Sequence, residues 1–187
     1  MSRLQPDYYF DSAFSIHPSF LTEKGIKCVV LDIDNTLVTY GEKIPTEKAN
    51  EWINLLRQND ISILIASNNV EKRVSEFATP LGLPYIFNSF KPSKKAIVEA
   101  CTRFGVTPDQ VAVIGDQVFT DIGCARKGGA LAILTKPIND KENLFIKFKR
   151  AMERPIVKKF RKNNAETMAV ETHLKRMKQN CTRGKRR

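Results

Sequence analysis

The chain has 187 residues and a formal net charge of +11, with 42% apolar residues, so it can form one domain with a hydrophobic core and an extension. No apolar run approaches the roughly 18 residues of a membrane-spanning helix, and the first residues lack the pattern of a secretion signal. The four cysteines show neither CxxC nor zinc-binding spacing, so we expect a cytoplasmic protein in a reducing compartment.

Strand and helix patterns alternate along the first 140 residues. The predicted strands are continuous apolar runs over 28–34, 61–66, 85–87, 111–114 and 131–134. The predicted helices cover 46–59, 70–79, 93–103 and 120–127, with start signals at Pro45-Thr46 and Ser93 and a stop signal at Gly105. This order predicts an α/β fold, a Rossmann-like doubly wound parallel sheet with helices on both faces.

Four short polar segments follow predicted strands in order. They are Asp32-Ile33-Asp34-Asn35-Thr36, Ser67-Asn68-Asn69, Lys91-Pro92, and Gly115-Asp116 with Asp121. Parallel sheets bind ligands outside the carboxyl ends of their strands, so we expect these segments to meet at one edge. Alternation along the first segment puts the carboxylates of Asp32 and Asp34 on the same side and turns Ile33 away.

The two carboxylates of the first segment require different functions. Close carboxylates repel each other and need a cation or a shared proton. A Mg²⁺ ion held by Asp32 and Asp116 satisfies this need, because it prefers a few carboxylates together with phosphate and water. Asp32 is then the candidate nucleophile that forms an aspartyl-phosphate. Asp34 is the candidate acid that protonates the leaving oxygen and the base that later activates water.

The remaining polar residues suit a phosphoryl group. Thr36, Ser67 and the backbone N–H of Asn68 can donate hydrogen bonds to its oxygens, and Lys91 adds a positive charge. Asp121 can support a metal-bound water from outside the ligand set. Asn69 and Gln117 are interpreted as wall residues of the site. Each segment alone is also common at a strand end, turn or helix cap, but the ordered set favours phosphoryl transfer.

The motifs resemble those of the haloacid dehalogenase (HAD) superfamily of phosphohydrolases. Residues 32–36 match its first motif, Ser67 its second, Lys91 its third and residues 115–121 its fourth. Longer stretches at 31–38, 66–74, 77–84 and 113–121 are similar to the small bacterial YqeG-type branch of subfamily IIIA, within a resemblance that covers roughly residues 4–160. The resemblance implies a Rossmann-like fold, Mg²⁺ dependence, an aspartyl-phosphate on Asp32 and metal ligation by the backbone carbonyl of Asp34.

The motif spacing excludes a separate cap domain. Residues 37–66 and 68–90 are almost filled by predicted helices and strands, which leaves only 37–45 as a flap. A closed cap normally excludes water and selects a small substrate. We therefore expect a capless, open site for a phosphate on a large molecule, such as a lipid surface, a protein or a nucleic-acid end. The alternative is a partner subunit that covers the site.

The positive charge is concentrated in the last quarter of the chain. Residues 1–140 contain 15 Lys and Arg against 16 Asp and Glu, whereas residues 141–187 contain 16 against 4. This shift predicts a boundary between a HAD-like phosphatase domain, 1–140, and a basic C-terminal helical extension, 141–187. Apolar residues in 144–160 follow helical spacing between basic ones, which suits peripheral contact with an anionic membrane, on its inner face, or a helix packed on the domain. The basic end, 181–187, is expected to be disordered and able to bind RNA or a ribosomal surface.

Three functions remain open on this basis. The first is a Mg²⁺-dependent phosphatase of an anionic phospholipid, since the family resembles the mitochondrial phosphatases that make phosphatidylglycerol from phosphatidylglycerophosphate. The second is a phosphatase of a soluble sugar, nucleotide or protein phosphate. The third is a nonenzymatic module in which the tail binds RNA or the ribosome and the domain is a scaffold.

Overall fold

The computed structural model describes residues 4–139 and 144–163, and its centre is a parallel sheet of six strands. The strands are β1 (Tyr8–Phe10), β2 (Cys28–Leu31), β3 (Ser62–Ala66), β4 (Tyr85–Ile86), β5 (Val111–Gly115) and β6 (Leu131–Thr135). Their order across the sheet is β1-β6-β5-β2-β3-β4, so β2 lies inside the sheet, β3 and β4 extend it to one side, and β5, β6 and β1 extend it to the other. Every pairing between neighbours is parallel, which confirms the predicted α/β architecture.

Helices cover both faces of the sheet. They are α1 (Pro18–Glu23), α2 (Glu47–Arg57), α3 (Glu71–Ala78), α4 (Lys95–Phe104), α5 (Gly123–Gly128) and α6 (Leu144–Asn163). Side chains alternate along each strand, so Val29 and Leu31 join one core with α1, α2 and α3, while Cys28 and Val30 join a second core with α4, α5 and α6. All four residues of β2 are buried, which explains its continuous apolar pattern.

The described elements agree with most predicted ones, with physical reasons for the differences. Thr46 caps α2 by accepting the N–H of Ala49, and Gly105 ends α4 in the left-handed conformation at φ 64°. Ser93 accepts the N–H of Lys95 at 3.4 Å, but α4 itself starts at Lys95, two residues later than its predicted start. β2 ends at Leu31 rather than at residue 34, because the Ile33 carbonyl accepts N–H groups from a turn.

Three short elements differ from the sequence pattern more strongly. The strand β1 and the helix α1, of 3 and 6 residues, were not predicted because neither is long enough for a periodic signal. The predicted helix 120–127 is a π-helical turn, Val118–Ile122, followed by α5. A π-helical turn widens the backbone, and such turns often occur at functional sites.

The connections between strands contain no cap domain. The chain between residues 36 and 67 holds a loop, α2 and β3, and the chain between 67 and 91 holds α3 and β4. The capless architecture expected from motif spacing is therefore confirmed. Within the described ranges, no helix combines the length and the apolar character needed to cross a membrane.

The long helix α6 packs on the core that already includes α4 and α5. Phe160 is only 4% exposed, and Ile156 and Val157 pack against the same cluster. The first half of the helix behaves differently, since Phe148 and Met152 are 64% and 48% exposed. The predicted domain boundary near residue 140 and the tail beyond 163 lie outside the described residues, so both stay predictions.

Removal of the Phe160 ring tests how α6 is anchored. We predict that Phe160→Ala lowers the free energy of unfolding by about 3 kcal/mol, because a buried aromatic side chain is deleted. Phe148→Ala serves as the control, with an expected change within about 0.5 kcal/mol for an exposed ring on the same helix. Urea denaturation of both variants measures the difference, and equal effects would contradict the packing of α6.

Candidate active site

A cleft of about 280 Å³ opens at the carboxyl edge of the sheet, where the loops after β2, β3 and β4 meet the loop after β5. The cleft is lined by six residues of the first three polar segments, all of which were expected in the site: Asp32, Asp34, Ser67, Asn68, Asn69 and Lys91. Gln117 also lines it, as predicted for a wall residue. Three further lining residues come from the loop after β2 and from α6: Tyr40, Ile146 and Lys149. The cleft thus joins residues that are more than 100 positions apart in the chain.

The ammonium group of Lys91 is the centre of the site. Its Nζ lies 2.6 Å from Asp32 Oδ1, 2.7 Å from Asp121 Oδ1 and 2.8 Å from the carbonyl oxygen of Ala66. Lys91 is only 6% exposed, so all three donors of the ammonium group are used inside the protein. Lys91, which is predicted to lie beside the phosphoryl group, therefore also binds two of the predicted acidic residues, Asp32 and Asp121.

Asn68 fixes the backbone that carries this lysine. Its side-chain Oδ1 accepts the N–H of Lys91 at 2.8 Å and the hydroxyl of Ser89 at 2.9 Å, and its Nδ2 donates to the Lys91 carbonyl at 3.0 Å. The Ser67 hydroxyl oxygen accepts the N–H of Asn69 at 3.1 Å. All three residues of the second segment are thus in the cleft, and the Asn68 side chain has a positioning function that the sequence did not predict.

Three carboxylates form a compact acidic cluster. One oxygen each of Asp32, Asp116 and Asp121 lies within 4.8 Å of the others. The Thr36 hydroxyl connects two of them, at 3.4 Å from Asp32 Oδ2 and 3.3 Å from Asp116 Oδ1. Hard oxygen donors of this kind are the ligands that divalent cations such as Mg²⁺ prefer. The donor set therefore fits a divalent cation.

Burial changes the protonation of these groups. Burial is the main cause that raises the pKa of Asp32 to about 8. The negative charges of Asp121 and Asp116 also raise this pKa, while the positive charge of Lys91 lowers it. Burial also raises the pKa of Asp116 to about 6, although the Arg150 guanidinium opposes this. The pKa of Lys91 is raised, because the neighbouring Asp121 and Asp32 outweigh its own burial. Lys91 is consequently charged at neutral pH.

Gly115 allows the fourth segment to fold onto itself. A Cβ atom at this position would clash with the carboxyl group of Asp121. The Asp121 side chain turns back over the strand end, where its Oδ2 accepts the N–H of Gln117 at 3.1 Å. The π-helical turn after β5 brings Asp121 to this place. The position immediately before Asp116 must therefore be a glycine, because a side chain there would occupy the space of the Asp121 carboxyl group.

Asp34 is held by two residues of the segment that follows β3. Arg73 Nη2 donates to its Oδ1 at 2.7 Å, and Asn69 Nδ2 lies 3.4 Å from its Oδ2. The Arg73 side chain is 14% exposed. Arg73 carries no signal in the sequence, because Lys72 beside it has the same charge and only the orientation of α3 distinguishes the two.

The helix α6 adds a second group of residues that the sequence analysis missed. Arg150 pairs with the Asp116 carboxylate and donates to the Asp116 carbonyl oxygen at 2.6 Å. Glu153, only 3% exposed, accepts the N–H of Phe119 at 2.9 Å, and Lys149 Nζ lies 2.8 Å from Gln117 Oε1. An arginine within a strongly basic segment carries no signal that marks it as a partner of Asp116. Together these contacts make α6 one wall of the site.

Comparisons with known proteins agree with this geometry. The family model described as haloacid dehalogenase-like hydrolase matches residues 39–129. The chain is 34% identical over 152 residues to "Probable phosphatase YqeG" of Bacillus subtilis (strain 168). This alignment covers 81% of this chain and 88% of that protein. It is 28% identical over 135 residues to "Phosphatidylglycerophosphate phosphatase 1, chloroplastic/mitochondrial" of Arabidopsis thaliana, with 67% of this chain but 39% of that protein covered.

A solved structure shows the same fold at lower sequence identity. The cobalt-bound form of deoxy-D-mannose-octulosonate 8-phosphate phosphatase (YrbI) from Haemophilus influenzae aligns with a TM-score of 0.50 and 16% identity. The alignment covers 78% of this chain and 98% of the other. The motif order, the parallel sheet and the YqeG relative lead to one assignment. The chain belongs to the haloacid dehalogenase-like hydrolases and is a phosphatase of that family.

Proposed function

We propose that this chain is a Mg²⁺-dependent phosphomonoester hydrolase that acts through an aspartyl-phosphate on Asp32. The observation that carries the proposal is the buried cluster in which Lys91 contacts both Asp32 and Asp121, while Asp116 lies in the same group of carboxylates. Asp32 and Lys91 also line the open cleft, so a phosphate can reach them from solvent.

The acidic cluster is suited to a divalent cation. Asp32 and Asp116, with the backbone carbonyl of Asp34, would hold Mg²⁺, and Asp121 would act from outside this ligand set through its contact with Lys91. Three clustered carboxylates face two cationic side chains, Lys91 and Arg150, so the cluster has an excess of negative charge once Asp32 is ionised, and a bound cation would favour that ionised form. When bound, the cation offsets the negative charge of the phosphoryl group and the attacking carboxylate.

The chemical steps follow from the groups in the cleft. An oxygen of Asp32 attacks phosphorus, and the bond from phosphorus to the leaving oxygen breaks as protonated Asp34 gives that oxygen its proton. Asp34 then takes a proton from a water molecule, whose oxygen attacks phosphorus and releases Asp32 and inorganic phosphate. Lys91, Thr36, Ser67 and the N–H of Asn68 offset charge on the phosphoryl oxygens during both steps.

We further propose that the substrate is phosphatidylglycerophosphate or another large phosphomonoester at a membrane surface. The capless cleft leaves the reacting group accessible to a substrate that is too large to be enclosed. The similarity to a plant phosphatidylglycerophosphate phosphatase supports this lipid in particular. A soluble sugar, nucleotide or protein phosphate is the second candidate, and an activity panel separates the two.

Replacement of the nucleophile tests the proposed chemistry. We expect Asp32→Asn to abolish phosphate release from phosphatidylglycerophosphate in mixed micelles, because an amide fills the same space without attacking phosphorus. EDTA should abolish the wild-type activity, and added Mg²⁺ should restore it. The control Asp109→Asn, at an exposed position before β5, should keep full activity.

A parallel panel of soluble phosphomonoesters identifies the substrate class. Turnover of soluble esters without turnover of the lipid would retain the chemistry and contradict the lipid substrate. Wild-type turnover that persists in Asp32→Asn would contradict the nucleophile.

The contact between Arg73 and Asp34 generates a second prediction. Arg73→Met should lower kcat by roughly tenfold to a hundredfold, because the carboxyl group loses the partner that orients it for proton transfer. The loss should be larger for alkyl phosphates than for p-nitrophenyl phosphate, whose leaving oxygen needs little protonation. Lys72→Met is the matched control on the same helix, since Lys72 is exposed. Equal losses with both leaving groups would contradict a function of Arg73 through Asp34.

A further inference from the structure

The exposed large apolar side chains of the described residues are concentrated at the sheet edge that carries the active-site cleft and on α6. Among the described residues, eight large apolar side chains are exposed, and seven of them follow the carboxyl ends of strands or lie on α6. These seven, called the apolar ring, are Tyr40, Ile44, Val70, Phe90, Ile138, Phe148 and Met152. The exception is Val98, within α4. The described loops at the amino ends of the strands contain none of the eight.

The apolar ring is too exposed to be explained by folding. Phe90 is 70% exposed and Ile44 is 68% exposed, so neither contributes a buried surface to the core. Tyr40 also lines the cleft that contains Asp32. Clustered apolar side chains on a surface mark an interaction site, whereas single ones need no explanation. Here the exposed apolar side chains lie on the loops at the sheet edge that carries the cleft and on α6, which is one wall of the cleft.

A second concave surface, the basic groove, lies beside the active-site cleft. It has a volume of about 650 Å³ and lies between α6 and the carboxyl ends of β1 and β6. Its apolar lining residues include Tyr9, Val118, Leu134 and Val157. Asp116 and Arg150 line it too, so the groove borders directly on the acidic cluster.

The groove is strongly positive. Six of its lining residues are basic: Lys136, Lys147, Arg150, Arg154, Lys158 and Arg161. Its two acidic residues already have partners, because Asp116 pairs with Arg150 and Glu153 accepts the N–H of Phe119. In the described part of the chain, Lys136, Lys147, Arg154 and Lys158 take part in no ion pair. Their charge is therefore available to an anionic ligand.

The combination of charge and apolar surface identifies the ligand chemistry. A soluble anion or a nucleic acid would neutralise the basic side chains but would leave the apolar ring in water. An anionic phospholipid surface can bind both the basic side chains and the apolar ring. Its phosphates pair with the basic side chains, and the apolar layer beside them accepts aromatic and aliphatic side chains. Phe148 and Lys147 are neighbours on α6, so one helix presents both kinds of contact.

We propose that the carboxyl edge of the sheet, with α6, is a docking surface for an anionic phospholipid bilayer. The apolar ring enters the headgroup region, and the basic groove binds the phosphate of a phospholipid next to the one whose phosphomonoester occupies the cleft. The inference deepens the proposed function and rests on it for the molecule in the cleft. The evidence for the docking surface is the exposure and charge of its residues. The docking surface and the proposed substrate can therefore be tested, and contradicted, separately.

Charge reversal tests the groove. In Arg154→Glu/Lys158→Glu, two lining residues change sign, while Lys159→Glu/Lys162→Glu makes the same change at exposed positions of α6 outside the groove. We expect the groove variant to lose on the order of tenfold in affinity for vesicles of phosphatidylcholine mixed with phosphatidylglycerol. The control pair should lose about twofold. Equal losses in both pairs would overturn the groove, since they would reflect net charge alone.

Removal of apolar side chains tests the ring. Phe90→Ser/Phe148→Ser should weaken binding to the same vesicles by roughly tenfold, because two interfacial aromatic side chains are lost. The control Val98→Ser removes the exposed apolar side chain outside the ring and should bind as the wild type does. Unchanged binding of the double variant, or no binding of the wild-type chain, would overturn the docking surface.

Hydrolysis measured beside vesicle binding separates the two proposals. All four variants should hydrolyse p-nitrophenyl phosphate at the wild-type rate, which shows that the fold and the cleft are intact. Specific vesicle binding without hydrolysis of phosphatidylglycerophosphate would support the docking surface and contradict the lipid as the substrate. Hydrolysis of dispersed lipid without vesicle binding would support the lipid substrate and overturn the docking surface.

Discussion

The buried contact of Lys91 with Asp32 and Asp121 determines the organisation of the whole site. Removal of charged groups from water is unfavourable by several kcal/mol per ion, so charges persist in the interior only when partners surround them. Lys91 meets this condition through two carboxylates and the Ala66 carbonyl oxygen. The loops after three strands must converge on one ammonium group, and loss of Lys91 would leave two buried carboxylates without their cationic partner.

The surrounding sequence supports this convergence. Asn68 holds the backbone on both sides of the Lys91 residue, and Gly115 leaves space for the Asp121 carboxyl group. On the other side, Arg150 extends from α6 to Asp116 and offsets part of the remaining negative charge. The helix α6 is thus connected to the acidic cluster, although the charge pattern predicts a separate basic extension. Four of its other basic residues line the groove that we propose for phospholipid phosphates: Lys147, Arg154, Lys158 and Arg161.

The sequence predicted the parallel sheet and the cluster of polar segments because these depend on local patterns. Continuous apolar runs mark the strands, and acidic residues directly after 31 and 115 mark their carboxyl ends. Arg73, Arg150 and Glu153 escaped prediction because their functions depend on how helices pack, which a charge pattern does not encode. The short elements β1 and α1 lack a periodic signal, and the π-helical turn has no distinct sequence pattern.

Detection of a phosphate on Asp32 tests the central claim most directly. The Asp34→Asn variant should retain a slow first step and lose the base for the second, so the covalent intermediate should accumulate. After acid quenching of this variant with substrate and Mg²⁺, mass spectrometry of the peptide that contains residues 28–38 should show one added phosphoryl group on Asp32. The same peptide from an Asp32→Asn/Asp34→Asn double variant should be unmodified. A phosphoryl group on another residue, or turnover by wild-type enzyme with no phosphorylated peptide under any quench condition, would contradict the account.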